Sequence, residues 1–236
     1  LVKNKSGLSA KAPGETVANG WTDRGPNNIG GRTRAVLFDP NDINDQRVYA
    51  AGVSGGLWKT EDITDANVSW TLVSGVPGNM NVSSITVDPR NSNIWYLATG
   101  EPSTFGAAVG NGVYKTIDGG TNWTQLNVQL AGDSDFVYNS SNTFLAGIYY
   151  INDIIAWDNG TSTELFIGVG GHAYGDSSSP TNWLGLQSAG LYRSTNDGAN
   201  WSRIESSNME FTNNSKTYYY IPNDFEISAN NTLWMG

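Results

Sequence analysis

The chain has 236 residues, with 13 lysines and arginines against 22 aspartates and glutamates, for a net charge of −9. That balance argues against a nucleic-acid or anionic-membrane surface, because both need clustered cations. The absence of cysteine rules out disulfides, thiolate metal sites and cysteine nucleophiles, and the single histidine, His172, rules out a multi-histidine metal centre.

Residues 1–20 show no alternation, few apolar side chains and no apolar run of the signal-peptide kind, and read as an extended leader or linker. No segment approaches the roughly 18 consecutive apolar residues of a membrane helix, so no direct membrane span is expected. From Trp21 onward, short runs rich in Val, Ile, Tyr and Trp alternate with clusters of Gly, Asn, Asp and Ser. This is the pattern of many short antiparallel strands.

An internal repeat organises those strands. Gly56-Leu-Trp-Lys-Thr60, Gly112-Val-Tyr-Lys-Thr116 and Gly190-Leu-Tyr-Arg-Ser194 share the order glycine, aliphatic, aromatic, cation, hydroxyl, and a tryptophan follows each: Trp70, Trp123 and Trp201. Ahead of them come Arg34–Asp39, Ser84–Asp88 and Asp153–Asp158, each ending in a turn and leading to a second apolar run. A further copy starts at Asp224 and reaches Gly236. Four strands per unit at this period are the blades of a β-propeller. The alternatives for such a pattern are a β-sandwich or a solenoid. The fold class is therefore all-β: about three and a half blades of a larger ring in residues 21–236, with blades near 32–75, 82–130 and 143–206 and an incomplete one from 222. The unfinished last unit leads us to expect the N-terminal part of a longer propeller.

The turn after the third strand is the most specific motif. Thr116-Ile-Asp118-Gly-Gly120-Thr-Asn-Trp123 fits S/T-x-D-x-G-x-x-W; Ser194, Asn196, Gly198 and Trp201 form a second copy, and Thr60, Asp62 and Trp70 a stretched third. The hydroxyl and carboxylate accept backbone N–H bonds, glycine takes positive φ, and tryptophan packs beneath. The pattern resembles the Asp-box, or BNR repeat, of sialidases, xyloglucanases, sortilin-type receptors and photosystem assembly propellers. The stretch from Trp21 through Arg32 and Arg34 to Lys59 resembles sortilin-like secreted propellers of Bacteroidota, many of them type IX secretion cargo. That resemblance implies a secreted or cell-surface protein of a Gram-negative bacterium, with a protein or glycan partner or an outer-membrane assembly, and no cofactor.

Propeller geometry puts the second-to-third-strand loops on the face where the inner strands begin. Candidate ligand-binding residues on that face are Arg32, Arg34, Glu101, Phe105, His172, Tyr174 and Trp183; no metal ligands are assigned, since Asp133, Asp135 and Asp176 lack a calcium-loop spacing. Arg32 and Glu101 can equally pair with each other. A sialidase needs an arginine triad, a Tyr-Glu nucleophile and an acid, whereas this chain has only seven arginines and no Arg-Ile-Pro element ahead of the first blade. The resemblance to xyloglucanases implies a catalytic aspartate two residues before Gly55, where this chain has Val53. The expected function is a non-catalytic binding or scaffold propeller with no catalytic residues assigned. The alternative is a glycoside hydrolase whose carboxylates lie largely outside this sequence.

Overall fold

Branched and aromatic side chains favour extended backbone because they pack well on a pleated surface. In this chain the first three inner runs of them are each closed by an aspartate that turns the backbone. Asp39 accepts from the Asn41 N–H at 2.8 Å, Asp88 from Arg90 at 2.9 Å and Asp158 from Gly160 at 2.8 Å. These are aspartate turns whose side chain mimics the backbone acceptor.

The computed structural model describes residues 32–101, 110–131, 144–145, 150–170, 172–173, 188–213 and 216–236. Strands β1 (Thr33–Phe38), β2 (Val48–Gly52), β3 (Leu57–Thr60) and β4 (Thr71–Leu72) form the first antiparallel meander. The second comprises β5 (Val82–Asp88), β6 (Asn91–Thr99), β7 (Val113–Thr116) and β8 (Thr124–Gln125). A short strand β9 (Phe144–Leu145) precedes the third meander, β10 (Ile151–Asp158), β11 (Thr163–Val169), β13 (Gly190–Ser194) and β14 (Ser202–Arg203). Strand β12 (His172–Ala173) leaves that meander to pair with β9. The hairpin β15 (Glu210–Asn213) and β16 (Lys216–Tyr219) follows, and β17 (Phe225–Ile227) pairs with β18 (Leu233–Met235) in the fourth position.

The inner strands β1, β5, β10 and β17 lie side by side in that order. Side chains stitch them together: the Ser83 hydroxyl donates to the Ile151 carbonyl, the Ala156 N–H to Thr86 Oγ1 at 3.2 Å, and the Phe225 N–H to the Asp153 carboxylate at 2.8 Å. The core consequently lies between sheets rather than inside one. Leu57, Tyr49 and Ala51 of the first blade meet Trp95, Leu97 and Tyr114 of the second. Tyr96, Ala98 and Val113 of the second meet Ile154, Ile167 and Tyr192 of the third, and Phe166 and Leu191 meet Phe225. Each leucine, isoleucine, valine or phenylalanine among them contributes about 1.5–3 kcal/mol through burial. Successive four-stranded sheets packed face to face, with their first strands innermost, are the blades of a β-propeller. The fold class read from the repeat holds, and the described residues contain no helix. The β15–β16 hairpin is an addition that the repeat does not announce; its Tyr219 ring lies 3.8 Å beneath the Arg203 guanidinium.

Candidate functional site at the channel mouth

The beginnings of the first three inner strands are irregular in the same way. Pairing of β1 with β2 steps from Thr33–Gly52 to Ala35–Ala51, β5 with β6 from Val82–Thr99 to Ser84–Ala98, and β10 with β11 from Ile151–Val169 to Asp153–Gly168. One extra residue is inserted on the inner strand each time: Arg34, Ser83 and Asn152. A bulge of this kind bends the strand and re-aims side chains next to functional surfaces. Here the bulges line a polar cavity of about 470 Å3 running along the channel, with Arg34, Ser83, Asn152, Asp153, Asn223 and Asp224 among its walls.

Just before each bulge, equivalent backbone bonds extend the pairing of the inner strand with the second strand. The Val53 N–H donates to the Arg32 carbonyl at 3.0 Å, Gly100 to Asn81 at 3.1 Å and Gly170 to Tyr150 at 2.8 Å. Arg32 then reaches across to the second blade, where its guanidinium pairs with the Glu101 carboxylate. Glu101 is only 2 % exposed whereas the arginine side chain is 53 % exposed, so the pair has one buried and one solvated end. The second Glu101 oxygen and both polar atoms of the Asn81 side chain are buried without a hydrogen-bond partner among the described residues.

Arg34 stands exposed on the channel wall, and Glu101 is committed to Arg32. Phe105, Tyr174 and Trp183 lie outside the described residues, as do Asp133, Asp135 and Asp176; for His172 the backbone alone is described, in β12. Ser83, Asn152, Asp153, Asn223 and Asp224 were not among the residues singled out by sequence. Their signal is a polar residue shortly ahead of the apolar inner run, at nearly the same distance from the turn aspartate in each repeat.

Among the channel carboxylates, Asp153 is held above the ordinary aspartate range. Burial is the main cause; Asp224 pushes the same way, while bonds from the Ser84 hydroxyl and the Phe225 and Ile154 N–H groups pull it back. Desolvation of this half-buried carboxyl disfavours its charged form. Among the described residues, no group of three or more His, Asp or Glu is arranged to hold a metal ion.

The turns after the third strands lie at the outer ends of the sheets. In the second blade Thr116 Oγ1 donates to Asp118 at 2.8 Å and accepts from the Gly120 N–H at 3.1 Å, while Asp118 accepts from the Asn122 N–H at 2.8 Å. The Trp123 indole N–H closes on the Gly120 carbonyl at 3.1 Å. In the third blade, Ser194, Asn196, Gly198 and Trp201 repeat the arrangement: Ser194 Oγ to Asn196 at 3.1 Å, Gly198 N–H to Ser194 at 3.0 Å, and Trp201 to Gly198 at 3.0 Å. The amide oxygen of Asn196 thus does the accepting done by the carboxylate of Asp118. The first blade departs from this pattern. There the Asp62 carboxylate accepts from the Thr64 N–H at 2.7 Å, and Thr60 touches only the Asp62 carbonyl, at 3.5 Å. Trp70 follows the inserted residues, half-buried.

No family model matches the chain. A xyloglucanase of Hypocrea jecorina is 28 % identical over 191 residues, an alignment covering 72 % of this chain and 20 % of that protein. A xyloglucanase of a Paenibacillus species is 27 % identical over 234 residues, covering 92 % of this chain and 19 % of that protein. The chain spans about one fifth of the length of these curated relatives. Among solved structures, an ancestral GH74 enzyme superposes with a TM-score of 0.49 at 22 % identity, over 75 % of this chain and 19 % of that one. The sortilin-like and type IX secretion expectation finds no support in these relatives.

Proposed function

We propose that this chain is a portion of a propeller glycoside hydrolase acting on xyloglucan, with its channel-mouth face turned to the polysaccharide. The similarity to two xyloglucanases, which extends over 72 % and 92 % of the chain, carries this reading. It favours the hydrolase alternative over the non-catalytic scaffold. The hydroxyl-anchored turns at Thr116 and Ser194 are read as Asp-boxes, consistent with their bond pattern. Such an enzyme meets its polymer outside the cell, so export follows from the reading.

Hydrolysis of a glycosidic bond needs two carboxyl groups flanking it. The first blade offers none at Val53, and Glu101 of the second blade is buried against Arg32. The chain's own contribution is therefore substrate holding, with the acid and base supplied largely by sequence outside it. Val53 also favours a second reading, a glycan-binding propeller that has lost hydrolysis.

The deciding assay is release of reducing ends from tamarind-type xyloglucan by the full-length protein, alongside affinity electrophoresis in the same polymer. Cleavage of xyloglucan supports the first reading. Retardation without cleavage selects the second, and neither cleavage nor retardation overturns both.

A further inference from the structure

The bulged channel wall has an unbalanced set of hydrogen-bonding groups. Ser83 has spent its proton on the Ile151 carbonyl. Asn152 is buried, and its amide N–H groups are committed to the Pro222 carbonyl at 3.2 Å and the Asn223 side-chain oxygen at 2.9 Å. The Asn152 oxygen is buried with no partner among the described residues. Asp153 and Asp224 add carboxylate oxygens to the same cavity. Blades 2 to 4 therefore present mainly acceptors, whereas the first blade presents the donor fork of Arg34, which makes no ion pair among the described residues.

We propose that this cavity binds a small polyhydroxylated molecule, such as a free sugar or cyclitol, edge-on between Arg34 and the Asn152–Asp153–Asp224 wall. A hydroxyl is the group that donates and accepts through one atom, so vicinal hydroxyls satisfy both walls at once. A bare cation would share the cavity with a guanidinium, and an anion would meet two carboxylates. The cavity, about 470 Å3, falls within the roughly 300–1,000 Å3 range of small-molecule sites. Among the described residues no aromatic side chain lines it, so recognition runs through hydroxyl edges rather than a stacked ring face. The orphaned Asn152 oxygen is the strongest single pointer, because buried acceptors in native proteins are almost always paired. This inference does not depend on hydrolysis: a protein inactive on xyloglucan retains the same cavity.

The test is saturation-transfer NMR with D-xylose, D-galactose and myo-inositol on the full-length protein, followed by titration calorimetry with any that respond. Arg34→Ala and Asp224→Asn change exposed side chains and leave the sheet bonds intact. We expect millimolar binding of at least one of the three, weakened at least fivefold in each variant. Equal affinity in the wild-type protein and both variants would put the ligand elsewhere and overturn the proposal. No response from folded wild-type protein also overturns it. So does calcium binding that is lost in Asp224→Asn while the polyols stay silent, since the cavity is then a cation site.

Discussion

The Tyr96 hydroxyl of the second blade donates to the Asp197 carboxylate in the turn of the third, at 3.3 Å. Tyr49 makes the equivalent reach one blade earlier, donating to the Gly119 carbonyl at 3.3 Å. Both tyrosines stand opposite the cation of the repeated motif, Tyr49 across from Lys59 and Tyr96 across from Lys115. The third blade has Phe166 there, across from Arg193, and its link to the next sheet is apolar. The propeller is thus held by a hydroxyl-to-turn contact repeated at two successive interfaces.

Removing those hydroxyls measures what the contact contributes. Burial, reinforced by Asp39, pushes the Tyr49 phenol up to about 12, and burial with Asp197 raises Tyr96 further, so both donate as neutral phenols at any ordinary pH. Tyr96→Phe and Tyr49→Phe should each cost about 0.5–1.5 kcal/mol in urea unfolding. The two sit in different interfaces, so the double variant should lose the sum. Unchanged midpoints in both single variants would show that water serves these hydroxyls equally well.

The turn aspartates should differ in cost because their partners differ. Asp118→Ala removes bonds to Thr116, Thr121 and Asn122 and is expected to cost about 1–2 kcal/mol, while Asp62→Ala removes two exposed bonds to the single residue Thr64, from its N–H and its hydroxyl, and should cost less. Bonds from Asn122 hold the Asp118 carboxyl below the ordinary aspartate value. A depressed folded value means that this stabilisation is present above the unfolded value, about 3.9, and fades as pH falls through the folded one. The gap between wild type and Asp118→Ala, followed by urea unfolding from pH 7 to pH 2.5, should therefore narrow toward acid. A gap independent of pH would mean that the carboxylate charge is irrelevant to the turn.

The blades were legible in the sequence because a repeat with period-2 apolar alternation leaves one way to pair its strands. Gly56-Leu-Trp-Lys-Thr60 and its two copies mark every third strand, and each following tryptophan leads into the fourth. The channel was not legible. Ser83 meets Ile151, Arg90 meets Asp158 at 2.9 Å, and Asp153 meets Phe225, all through contacts between blades some 70 residues apart. The bulge at Arg34, Ser83 and Asn152 adds one residue without changing composition, so the pattern of apolar residues hides it. Sequence singled out Arg34 because it is charged and overlooked Asn152 because this chain is rich in asparagine.

Arg32 and Glu101 should respond unequally to mutation. Arg32→Ala leaves a carboxylate that is 2 % exposed without its cation, and a buried charged group losing its partner costs roughly 1–3 kcal/mol. Glu101→Gln keeps an acceptor for the guanidinium and removes the buried charge, so it should cost less. Urea midpoints decide the order. A larger loss for Glu101→Gln would mean that the carboxylate charge itself, rather than the relief of burying it, organises the mouth.

Asp153 offers the clearest pH signature, and its sign is opposite to that of Asp118. Burial raises its folded pKa above the unfolded value near 3.9. Between those two values the folded protein holds more protons than the unfolded chain, so stability falls as pH rises. The contribution is complete below about 3.9 and is lost as pH climbs through the folded value. Asp153→Asn cannot ionise, and its amide offers one acceptor oxygen where the carboxyl takes bonds from both the Ile154 N–H and the Phe225 N–H that ties the third inner strand to the fourth. It should therefore be less stable than wild type at pH 3.5, with the difference shrinking as pH approaches neutrality. Urea unfolding of both proteins at half-unit steps from pH 3.5 to pH 7 checks this. If the difference instead grows with pH, the bonds from Ser84, Ile154 and Phe225 outweigh burial, and the carboxylate is a fixed anion of the channel wall.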